Sequence, residues 1–229
     1  MDAAELPIFP LGGVLFPRAV LPLHVFEPRF RALVEACLSG EPEFGVVLIE
    51  RGSEVGGGET RTQVGTVARI VQIGRTDDGR YVLATIGTDR FRVVEWLPDD
   101  PYPRAMVERF DDDVAGPQGE AGLDLATVAA RARVDRSLQR VLSLQAELGA
   151  PDEMRSTALG PSRPKGERAD VETSDELGRY TFDVAALAGL SPLDAQSILM
   201  LTDPTARLRA LDELLSDAIE VLRFRLGSG

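Results

Sequence analysis

One cysteine, one histidine and one lysine occur among 229 residues, and each scarcity removes a class of chemistry. The lone cysteine, Cys37, permits no internal disulfide, which suits a reducing cytoplasm. A single histidine, His24, cannot form a His-x-x-x-His zinc pair, and a single cysteine cannot form a Cys-x-x-Cys site. No metal and no cofactor is therefore expected. The only lysine, Lys165, sits in "RPKGER" with no strand ahead of it, so a P-loop is absent and a preorganised Ser–Lys dyad is disfavoured. A G-x-S-x-G nucleophile motif is missing as well. Apolar runs fall far short of the roughly 20 residues that span a bilayer. The opening "MDAAELP" has no basic region before an apolar stretch, so no secretory leader is expected and the protein is read as cytoplasmic.

Acid is what the chain has in excess. The net charge is −12, with 19 acidic and 12 basic side chains up to residue 115 and 18 and 13 beyond it. Phosphate backbones and anionic lipid surfaces are bound through clustered cations, so both halves start at a disadvantage for nucleic acid and for membranes.

Residues 6–110 alternate short apolar runs with turn residues. Strands are expected at 6–9, 20–26, 44–50, 64–74, 81–87, 91–97 and 103–110. Val, Ile, Thr and aromatic residues dominate these runs, and Asp78-Gly79 marks a tight turn. The spacing suggests an antiparallel meander curling into a barrel. Gly52–Gln63, centred on Gly56-Gly57-Gly58, reads as a loop. One helix interrupts the strands: Pro28 suits its first turn, and Phe30, Leu33, Val34, Cys37 and Leu38 form one apolar stripe ending at Ser39-Gly40. Cys37 on that stripe behaves as a small hydrophobe, with no base or cation in view to activate it.

Beyond the polar segment 111–122 the period turns helical. Leu125, Val128, Ala132, Leu138, Val141, Leu142 and Leu148 are expected to share a face of one helix over 123–148. Residues 149–172 lack periodicity and read as a flexible loop. Thr173 and Glu176 have capping-box spacing, while Ser191-Pro192 and Asp203-Pro204 each place a cap before a first-turn proline. The last helix, 204–226, carries Leu208, Leu211, Leu215, Ala218, Leu222 and Leu226 on one stripe. Two domains are expected, a β-rich one over 1–115 and a helical bundle over 116–229 that includes the loop 149–172.

His24 precedes Glu27 by three residues, and a His–carboxylate pair can position a general base. With no nucleophile or metal to serve, a histidine hydrogen-bonded at the strand–helix junction is favoured. The acidic runs Asp99-Asp100 and Asp111-Asp112-Asp113 read as solvated rims rather than cation sites.

"LPIFPLGGVLFPRAVLPLHVFEPRFRALVEACL" resembles the opening of the Lon protease N-terminal, or substrate-binding, domain. Its elements are Leu6–Leu11, Val14–Pro17 and Leu21–Phe30, with Phe30 where the family has tyrosine. "FGVVLI" (44–49), "GTVARIVQI" (65–73), "DGRYVLATIGTDRFRV" (78–93) and "DPTARLRALDELL" (203–215) are similar to the family too. The resemblance is to the stand-alone bacterial form, without ATPase or protease domains. It implies an α+β fold, a PUA-like β-barrel lobe with one helix followed by an α-helical bundle. It also implies that Pro22, His24, Phe26, Glu27, Pro28 and Arg29 are a structural signature of the fold, with His24 no catalyst.

The expected function is that of a non-enzymatic protein- or peptide-binding module, a substrate-recognition or adaptor protein with protein or unfolded polypeptide as partner. The expected binding surface draws on the loop glycines Gly56, Gly57 and Gly58 and on Arg207, Arg209, Arg223 and Arg225, presented on the polar side of the last helix. RNA binding by analogy with PUA folds is the alternative, opposed by the charge, and a hydrolase built on His24 and Glu27 ranks last. A monomer or weak dimer is expected.

Overall fold

The computed structural model describes residues 3–52, 58–113, 123–149 and 173–227. The chain divides into two compact units, Met1–Asp111 and Asp112–Gly229, and the fold is α+β.

The first unit is a small barrel. Its strands are β1 (Ala4–Leu11), β2 (Val20–Val25), β3 (Glu43–Arg51), β4 (Thr60–Arg75), β5 (Tyr81–Leu97) and β6 (Arg104–Arg109), and helix α1 (Pro28–Ser39) lies between β2 and β3. The strand order is β2-β5-β4-β3-β1-β6, and β6 returns to pair with β5. Five strands therefore close into a ring, and β2 lies outside it on the first half of β5. Closure pairs most of the edges a flat sheet would expose and leaves β2 as an edge strand. The ring is not a pure meander, because β1 and β3 run parallel, with Ile8 opposite Gly45 and Leu11 opposite Leu48.

Two sequence expectations change here. β5 runs unbroken through Thr88-Asp89-Arg90 rather than turning there. Between the pairs Thr66–Arg90 and Ala68–Gly87, β5 advances one residue more than β4, so these turn-like residues form a β-bulge that bends a long strand. Thr60–Gln63 belong to β4 rather than to the preceding loop, which shortens that loop at its far end. Residues 53–57 lie outside the described residues.

The barrel core is built by Ile8, Val47, Phe91, Val93, Ala105 and Val107. Phe91 fits because its neighbours on β3 and β4 are glycines. A Cβ at Gly45 would stand 2.7 Å from Phe91 Cζ, and one at Gly65 would meet the same atom at 2.7 Å as well as the Val46 carbonyl.

The second unit is helical: α2 (Leu125–Glu147), α3 (Ser174–Ala188), α4 (Pro192–Met200) and α5 (Pro204–Gly227). Each start has its cap. Asp124 accepts from Thr127 N–H, Thr173 and Glu176 form a reciprocal capping box, and Ser191 accepts from Asp194 N–H. The buried face of α2 is Thr127, Ala130, Val134, Leu138, Val141 and Leu144. Leu125, 89% exposed, and Val128 are outside it, as is Ala132. At 100° per residue, positions 125, 128 and 132 fall roughly 120–180° around the helix from Val134, so they share its far side. Residues 150–172, expected as a flexible loop, lie outside the described residues.

Candidate functional site

The stretch 20–30 places an exposed aromatic side chain beside a recess in the barrel unit. In β2 the side chains alternate: Leu23 and Val25 are buried, while Pro22 and His24 face outward. Phe26 continues the outward series and remains 53% exposed. α1 then starts at Pro28 and turns Phe30, Leu33, Val34 and Cys37 inward. Phe30 stacks on Phe9 of β1 with ring centroids 4.1 Å apart, and Phe9 meets Phe44 of β3 at 5.8 Å.

These elements enclose an open recess of about 200 Å³ lined by Phe9, Leu11, Pro22, Leu23, His24, Val25, Phe26, Glu27 and Phe30. The floor is aromatic and aliphatic, and the rim carries Pro22, His24 and Phe26. An apolar cavity of about 150 Å³ takes a benzene ring, so this one is sized for a single large apolar side chain. The one carboxylate in the lining is engaged: Arg29 Nε donates to Glu27 Oε2 at 3.0 Å, and the same guanidinium lies 4.3 Å from the Phe30 ring centroid.

This arrangement does not assemble a general-base dyad. Glu27 is turned to Arg29, and the His24 side chain has no hydrogen bond among the described residues. The expected hydrogen-bonded histidine at the strand–helix junction is thus replaced by an exposed one, because the alternation of β2 directs it outward. Cys37 is buried, and its Sγ donates to the Glu43 carbonyl at 3.1 Å; burial pushes the thiol up to about 11. No group of three or more metal-ligating side chains occurs among the described residues.

The other expected site residues scatter. Gly56 and Gly57 lie outside the described residues, while Gly58 has φ +79° and open space where a Cβ would be. Arg209, Arg223 and Arg225 are exposed on α5. Arg207 is not: it is fully buried inside the bundle. It sits four residues before Leu211 and one before Leu208, so it shares their buried face rather than the polar one. Its Nη1 donates to the Gly178 carbonyl at 3.2 Å and Thr181 Oγ1 at 3.0 Å. Its Nη2 donates to Asp112 and to the Leu201 carbonyl at 2.8 Å, and its guanidinium lies 3.8 Å from the Phe182 ring centroid. Burial holds the guanidinium below its ordinary value, with Asp112 opposing that shift.

Phe9, Leu11, Leu23, Val25 and Phe30 line the recess without having been singled out as site residues. Alternation in 21–26 placed Pro22, His24 and Phe26 on one face. That Phe9 would close the floor depends on a contact 21 residues away in sequence.

Fold and site define a two-unit α+β protein whose barrel carries an open, aromatic-floored recess with no assembled catalytic group. The family model described as the ATP-dependent protease La (LON) substrate-binding domain matches residues 5–217. The chain is 32% identical over 229 residues to Lon protease 2 of Sorangium cellulosum, a match covering 98% of this chain and 26% of that protein. A Lon N-terminal domain protein from Xanthomonas campestris superposes with a TM-score of 0.60 at 26% identity, covering 91% of this chain and 96% of that one. The N-terminal domain of the Mycobacterium avium complex Lon protease shares the fold at a TM-score of 0.57 and 16% identity. The chain belongs to the Lon substrate-binding domain family. It spans about a quarter of the length of the curated relatives it matches, and the matches fall on the substrate-binding domain rather than on an ATPase or protease domain.

Proposed function

We propose that this protein is a non-enzymatic module that binds unfolded or peptide-like segments of other proteins, acting in substrate recognition or as an adaptor. One observation carries the reading: Phe26, 53% exposed, stands beside an open recess of about 200 Å³ that the buried rings of Phe9 and Phe30 also line. Isolated exposed hydrophobes are ordinary on protein surfaces, but an exposed apolar group beside a cavity sized for one side chain supports a binding role. Membership of a substrate-binding domain family supports the same reading. The exposed Arg209, Arg223 and Arg225 are proposed as a separate contact surface for acidic side chains, and a cytoplasmic setting belongs to the same proposal.

The test is fluorescence anisotropy with a labelled ten-residue unstructured peptide bearing one central phenylalanine. Binding of about micromolar order is expected for a single site. Phe26→Ala should weaken binding at least tenfold without altering the melting curve. No binding of any such peptide at near-millimolar concentration would reject the proposal.

A further inference from the structure

From the backbone around the recess we infer that the bound segment lies extended and joins the barrel as an added strand on the free edge of β2, with its register set by Pro22 and His24. This rests on the function proposed above and specifies how the ligand is held.

β2 has one ladder partner among the described residues, β5. The parity of that ladder follows from the Gly87 N–H, which donates to the Ala19 carbonyl at 2.9 Å. Antiparallel pairs alternate between those that exchange both backbone bonds and those that exchange neither. Leu21, Leu23 and Val25, opposite Thr85, Leu83 and Tyr81, therefore spend their backbone groups on β5. Val20, Pro22 and His24 turn theirs to the open side. Pro22 agrees independently, since a residue with no N–H is tolerated in a sheet where that N–H would have pointed away from the ladder.

The free edge thus offers the N–H and C=O of Val20, the C=O of Pro22, and the N–H and C=O of His24. No other backbone hydrogen bond engages these groups among the described residues. An unpaired edge of this kind is a template for an extended chain. The recess adjoins it, with Pro22–Val25 along one wall and Phe9 and Leu11 of β1 lining it too. Past Pro7, which is paired with Arg104, β1 has left β6, and Ile8 gives its N–H to the Pro103 carbonyl at 2.8 Å. From Phe9 onward β1 keeps only β3 as a strand neighbour.

The occupant this geometry fits is an extended segment of unfolded polypeptide with a large apolar side chain for the recess. A peptide residue opposite His24 exchanges two bonds, and the residue opposite Pro22 donates one. A helical segment cannot present that donor pattern, because its backbone groups are bonded within the helix. The net charge of −12 favours segments that are neutral or basic over acidic ones.

The probe is the ten-residue phenylalanine peptide with arginine flanks, together with versions carrying one N-methyl group at successive amides. Strand addition predicts a period of two: methylation at every second position weakens binding about tenfold, and the positions between leave it unchanged. On the protein side, His24→Pro deletes an outward N–H that the β5 ladder does not use and should weaken binding similarly. His24→Ala keeps that N–H and removes only a rim side chain, so it should weaken binding less than His24→Pro does. If His24→Pro fails to fold, the methylation series on the wild-type protein still decides. A flat methylation profile with the parent peptide bound would overturn strand addition while leaving the proposed function standing. Failure of the parent peptide to bind would overturn both.

Discussion

Replacing Arg207 with alanine should destabilise the bundle without weakening peptide binding by the folded protein. Its guanidinium has 0% exposure, donates to two carbonyls, one hydroxyl and one carboxylate, and stacks on Phe182. Truncation strips Gly178, Thr181 and Leu201 of a charged donor and removes the Arg207 guanidinium from Asp112. Removing one member of a buried pair costs about 3–5 kcal/mol, because the remaining groups are left desolvated and unmatched. The Asp112 side chain is 20% exposed, so water can recover part of the loss, and about 3 kcal/mol is expected. In a unit of this size that corresponds to a fall of about 10 °C in melting temperature. Arg207→Lys should lose much of the same stability, since a compact ammonium cannot serve a forked set of acceptors. The assay exploits the single tryptophan, Trp96, which reports the barrel, while far-UV helical dichroism reports the bundle. Urea titration of Arg207→Ala should move the dichroism midpoint and leave the tryptophan midpoint in place. Its folded fraction should bind peptide as the wild type does. A loss below about 1 kcal/mol, or full additivity with Asp112→Asn, would show that the guanidinium is hydrated and the buried network wrong.

Three more outcomes can be checked on the barrel. Cys37 should resist thiol reagents at mild alkaline pH in the native protein and react on unfolding. Its folded value, about 11, lies above the ordinary 9.0, so the stability it contributes is whole below about 9 and is lost as pH rises toward 11; a native thiol that reacts as fast as the unfolded one would refute this. Gly65→Ala should destabilise the barrel by about 3 kcal/mol, because the new methyl meets the Val46 carbonyl and Phe91; a Trp96 unfolding midpoint unchanged in urea would contradict the packing. His24→Gln should change stability by no more than about 0.5 kcal/mol, since the side chain is exposed, and a melting temperature several degrees lower would mean that it is packed after all.

Local features were legible in the sequence because their causes are local. The capping box at Thr173 and Glu176 and the cap at Ser191 depend on residues three apart. The apolar stripe of α1 and the alternation of β2 depend on periods of 3.6 and 2. The family signature was legible for the same reason: it is a run of neighbours. Thr88-Asp89-Arg90 misled because the same residue types that favour a turn also serve at a bulge, and only a partner strand distinguishes the two. Leu125 and Val128 misled because apolar residues near a helix end can match a stripe without any neighbour to bury them.

The sequence by itself determined most element types and helix starts, the outward face of Pro22, His24 and Phe26, and the lack of a zinc-finger or P-loop motif in these residues. Tertiary structure alone decided the parallel pairing of β1 with β3, the return of β6 to β5, and the position of β2 at an edge, since these join segments far apart in the chain. It also decided that Phe9 meets Phe30 to floor the recess. The burial of Arg207 belongs with these: a cation can leave water only where Gly178, Thr181, Leu201 and Asp112 converge around it, and no pattern of neighbouring residues announces that convergence.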